Sequence, residues 1–133
     1  MNFQAILTNL YFILIYADGK LNEKEMKLSD KMILAEKLDR EAFKAQLELL
    51  KSSDLQVVYN NTIIHLKKLK AIDQTRIVAW LCMVANIDGF MDKAEWMFIY
   101  KIYAKELNLK LDDVMKVQRD LILLTQKQAD LLA

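Results

Sequence analysis

The sequence predicts an all-α protein, a single globular bundle of about seven helices, and three observations lead there. The 133 residues include no proline and only two glycines, Gly19 and Gly89, so little interrupts a helix. Apolar residues recur at spacings of three and four, and the alternation that marks strands is missing. The third is an internal repeat: Asp18-Gly19-Lys20-Leu21-Asn22-Glu23-Lys24-Glu25 returns 70 positions later as Asp88-Gly89-Phe90-Met91-Asp92-Lys93-Ala94-Glu95. Each copy follows a very apolar stretch and opens an amphipathic one. That pattern suggests one domain over 1–133, made of two pseudo-symmetric helix–corner–helix halves, about 1–66 and 67–133.

The elements follow in order. A first helix is expected from Phe3 to Ala17 and a second from Glu23 to Leu38, the latter with Leu28, Met32 and Ala35 on one face. A third, Arg40 to Lys51, presents Phe43, Leu47 and Leu50. Asp54 suits the N-cap of a fourth, whose stripe is Leu55, Val58, Tyr59, Thr62, Leu66 and Leu69. The fifth, Ile72 to Ile87, is apolar nearly all round; the sixth runs from Lys93 to Asn108. Asp112 suits the N-cap of the seventh, which aligns Val114, Val117, Leu121 and Leu124. Helices apolar on every side belong inside a fold, so the first and fifth are expected to form a buried central pair.

Composition excludes several classes of function. Lys+Arg is 19 and Asp+Glu is 18, interleaved along the chain; no basic stripe exists to neutralise a phosphate backbone, so nucleic acid is not expected as a partner. The run from Leu10 to Ala17, interrupted upstream by Thr8 and Asn9, falls well short of the roughly 20 residues of a membrane span. No lysine or arginine precedes it, so it reads as a core helix rather than a transmembrane segment or leader. Cys82 stands alone and fits a reducing, cytoplasmic setting. It lies between Leu81 and Met83 and reads as a small core residue, while His65, the single histidine, borders a core stripe. Two glycines in separate halves make no phosphate loop. No acid–base pair is marked out for catalysis, so no enzyme is expected.

The repeat has a structural reading and a functional one. Glycine just past a helix adopts the left-handed cap conformation without a Cβ penalty. Leu21 and Met91 can tuck each corner onto the core. Asn22 and Asp92 are N-cap types, and Glu25 and Glu95, three positions on, complete capping boxes. The functional reading is a divalent-cation site of the calcium-loop kind. In that register Asn86, Asp88, Gly89, Met91, Asp92 and Glu95 occupy positions 3, 5, 6, 8, 9 and 12. Position 1 is Val84, however, and Tyr16 and Leu14 replace ligands in the first corner. Any calcium site here is therefore expected to be weak.

An apolar helix ending in Ala17-Asp18-Gly19, then Leu21, Asn22 and Glu25, resembles the TerB-like family, named for tellurite-resistance protein B. Asp88-Gly89-Phe90-Met91-Asp92-Lys93-Ala94-Glu95 is similar, with an extra residue between Ala85-Asn86 and Asp-Gly. The resemblance implies an all-α domain without catalysis, in the cytoplasm or on the cytoplasmic side of a membrane, linked to tellurite and other chemical stress. It also implies metal-binding corners, here Asp18, Glu25, Asp88, Asp92 and Glu95, with Asn22 where an acid would be the better ligand.

The sixth helix carries an apolar excess. In Trp96-Met97-Phe98-Ile99-Tyr100-Lys101-Ile102-Tyr103-Ala104, Lys101 alone marks a solvent side. Either the helix is deeply buried, or it offers Trp96, Tyr100 and Tyr103 to a protein partner or a second copy of the chain. Taken together, the sequence points to a non-enzymatic binding or adaptor module, with a cation sensor as the alternative.

Overall fold

Seven helices form among the residues that the computed structural model describes, 1–16, 23–87, 89 and 91–132. They are α1 (Phe3–Tyr16), α2 (Glu23–Glu36), α3 (Arg40–Leu50), α4 (Leu55–Leu66), α5 (Ala71–Ala85), α6 (Lys93–Tyr100) and α7 (Leu111–Leu132). The helix α6 runs on into a π-helical segment, Lys101–Glu106. No strand occurs among the described residues.

Local chemistry sets the starts of three helices. Asp39, Asp54 and Asp92 each hold extended backbone and accept a hydrogen bond from the first turn of α3, α4 and α6 respectively. For α7 the sequence expectation needs correcting: the helix begins at Leu111, so Asp112 lies inside its first turn rather than at its cap. There Asp112 and Asp113 favour the positive end of the helix dipole. The sequence gives no sign that Lys37 and Asn108 stand in the left-handed region, with φ of 54° and 56°. At Lys37 this turns the chain sharply, and the Leu38 amide donates back to the Ile33 carbonyl at 2.9 Å, closing α2.

The core lies where the sequence puts it. From Ile77 to Ala85 every residue of α5 is buried, and α5 packs against α1, α2, α6 and α7. Most of α1 is buried as well, against α3, α4 and α5. One apolar cluster joins residues of all seven helices. The polar interruption in α1 also has a role. Asn9 donates to the Thr62 hydroxyl at 3.1 Å and accepts from Gln46 at 2.8 Å, tying α1 to α4 and α3. Across the fold, Glu36 of α2 accepts from the Trp80 indole at 2.7 Å and pairs with Arg76, both on α5. No helix among the described residues is long and apolar enough to cross a membrane.

Two helices depart from their expected course. The sixth does not continue as an α-helix to Asn108; at Lys101 it widens, and the Leu107 amide reaches the Ile102 carbonyl five residues back. The buried stripe of α7 is Val114, Gln118, Leu121 and Thr125, with Val117 and Leu124 only half-buried. The helix is thus turned so that two polar residues face inward.

Candidate functional site

At the second corner the structure shows a complete capping box. Asp92 accepts from the Glu95 amide at 2.8 Å, and the Glu95 carboxylate accepts from the Asp92 amide at 3.2 Å. Gly89 has φ +94°, a conformation open to glycine at little cost, and its amide donates to the Asn86 carbonyl at 2.9 Å. Met91 packs partly onto the core. Asp18, Asn22 and Asp88 lie outside the described residues, as does the side chain of Glu25. Among the described residues no group of three or more His, Cys, Asp or Glu side chains stands close enough to share a metal ion. With one oxygen each in capping bonds, Asp92 and Glu95 do not by themselves make the six to eight oxygen ligands calcium takes.

The helix α6 leads straight out of that corner, and it separates the three aromatic candidates. Trp96 and Tyr100 are 40% and 42% exposed, whereas Tyr103 is only 6% exposed and belongs to the core. The three rings form one cluster. Trp96 lies 6.1 Å from both tyrosines, and Tyr100 meets Tyr103 edge-on at 5.6 Å. Such separations lie in the favourable range for aromatic pairs. Tyr103, on the π segment, therefore acts as a fixed base beneath two rings that reach solvent.

Met97, which the sequence reading left unassigned, is 58% exposed. Trp96, Met97 and Tyr100 are three or four positions apart or adjacent, so they form one continuous face. Lys93 and Lys101, both exposed, stand one turn to either side of Met97. Around the helix from this face, Phe98 meets Tyr59 at 5.9 Å, and the Lys101 ammonium lies 4.6 Å from the Tyr59 ring centre. Ile13, Leu55, Tyr59, Phe98 and Lys101 line a shallow cleft of about 190 Å³ there. The Tyr59 hydroxyl is buried without a hydrogen-bond partner. Burial, reinforced by the Glu106 carboxylate, pushes its phenol up to about 12.

Elsewhere the potential reactive groups are quiet. Cys82 is buried in α5, and burial alone pushes its thiol up to about 11, which keeps it protonated and unreactive near neutrality. His65 is half-buried near the end of α4. Compared with known protein families, curated proteins and solved structures, the chain matches none.

Proposed function

We propose that this domain is a non-enzymatic binding module that takes a protein partner on the aromatic face of α6. The observation that carries this reading is the exposure of Trp96, Met97 and Tyr100 on one face, above a tyrosine fixed in the core. Tryptophan, tyrosine and methionine are the side chains that most often anchor interfaces. Rings already locked against Tyr103 lose little freedom when a partner covers them. With Lys93 and Lys101 flanking Met97, the face suits a partner surface that is apolar at its centre and acidic at its rim.

The two Asp-Gly corners and the all-helical architecture support placing the module with TerB-like domains, and hence with a cytoplasmic role in tellurite or chemical stress. A divalent-cation sensor is the second reading. It is favoured by Asp92 and Glu95 standing together at the head of α6, so that a cation there would act on the helix that carries the aromatic face.

Paired substitutions test the main reading. Trp96→Ala is expected to abolish partner binding or self-association, measured by sedimentation velocity, while lowering stability by no more than about 1 kcal/mol. Tyr103→Ala removes a buried ring and is expected to cost about 3–5 kcal/mol. If Trp96→Ala is as destabilising as Tyr103→Ala, the face belongs to the core and the reading fails.

A further inference from the structure

The turn that joins α4 to α5 carries charge of one sign. From Leu55 to Ile72 the chain has Lys67, Lys68 and Lys70 and no aspartate or glutamate. All three lysines are exposed, and none takes part in an ion pair among the described residues. The next acid along the chain, Asp73, is half-buried in the first turn of α5. Cations at the end of α4 favour its dipole, but a single lysine would serve that purpose.

Apolar side chains stand among these cations. Ile72, at 72% exposure, is the most exposed large apolar residue among those described, and Ile64 is 54% exposed. Ile64 lies one helical turn before Lys67 and so on the same side of α4, while Ile72 follows Lys70 by two positions in the opening turn of α5. The turn is also held in place. Gln74, buried on α5, donates to the Leu66 carbonyl at 3.0 Å and to the Lys67 carbonyl at 3.4 Å. These bonds fasten the start of α5 to the end of α4, so the backbone that carries the lysines and Ile72 needs no ordering on binding.

We propose that this tip docks on an anionic lipid bilayer. The ammonium groups would pair with headgroup phosphates, and Ile72 would enter the boundary of the hydrocarbon with the lysine stems beside it. A bilayer takes both features at once. A nucleic acid would use the lysines and leave the isoleucines in water, and three charges are few for it. Each lysine near such a surface strengthens attachment about five-fold, and burial of Ile72 adds about ten-fold.

The test sediments the full chain with vesicles of phosphatidylcholine alone and of phosphatidylcholine with about a third phosphatidylglycerol. Binding is expected to the anionic vesicles only, and to weaken as salt is raised from about 0.1 to 0.5 M. Changing Lys67, Lys68 and Lys70 together to glutamine is expected to weaken it about a hundred-fold, and Ile72→Ser about ten-fold. The same change at Lys105, Lys110 and Lys116, exposed on the π segment, ahead of α7 and on α7, is expected to leave binding within about two-fold. A melt of each variant is run alongside, so that loss of binding is read from folded protein only. Equal binding to both vesicle types, or equal loss from the control lysines, would overturn the proposal. So would unaltered vesicle binding by Ile72→Ser, or equally tight binding to soluble polyglutamate, which offers charge without a bilayer.

Discussion

Asp92 shows how much a single side chain decides at the second corner. It fixes the start of α6, and the answering bond from Glu95 fixes the entry of the chain into that helix. Asp92→Ala is therefore expected to lower stability in urea melts by about 1 kcal/mol, within the usual 0.5–2; no loss at all would remove the cap from the account. Tyr59 and Cys82 act on stability through pH. Burial raises the thiol from 9.0 to about 11 and, with Glu106, the phenol from 10.0 to about 12. The unfolded chain therefore gives up these protons first, so stability is full below about pH 9 and is lost as pH rises toward the folded values. Because the Tyr59 hydroxyl has no partner, Tyr59→Phe is expected to leave stability near pH 7 unchanged or raised and to flatten the alkaline loss. Chemical denaturation at pH 7, 9 and 10.5 measures both effects, and an unchanged alkaline slope would show that the phenol does not contribute.

At the scale of elements, what could be read from the sequence depended on whether the signal was local. The capping box at Asp92 and Glu95 needs only three residues of context, and so does the left-handed glycine at 89; both were legible. The burial of α5 was legible because apolar residues surround it on every side. The π segment was not, because no proline or glycine marks Lys101–Glu106. The orientation of α7 was missed for a related reason. Periodicity ranks residues by hydropathy and so favoured Val117 and Leu124 over Gln118 and Thr125, which the structure buries. Along α6 and the π segment that continues it, hydropathy could not separate Tyr103 in the core from Tyr100 in solvent, since both are the same residue three positions apart. Burial decides which is anchor and which is support, and it needs the neighbours that only the fold supplies.

At the scale of the whole molecule, the corner motif occurs twice, 70 residues apart. One halves-level question is whether the corners bind cations. An incomplete shell implies calcium affinity near 10⁻⁴–10⁻³ M, at roughly the weak end of known modules. Binding to the folded state at ten times Kd adds about 1.4 kcal/mol. A melt in about 5 mM calcium is then expected to rise above one in magnesium at equal ionic strength, and the rise is expected to vanish in Asp88→Asn with Glu95→Gln. Identical melts in both ions would leave the corners as caps alone.

The central claim is that the face of α6 contacts a partner, and site-specific photo-crosslinking in cells tests it most directly. A photo-reactive residue is placed at Met97 and, as a control, at Leu49, an equally exposed apolar position on α3. The expected result is a discrete adduct from position 97, absent from position 49 and lost on adding Trp96→Ala, which lowers the melting temperature by no more than about 4 °C. The same adducts from both positions, or none from position 97, would contradict it.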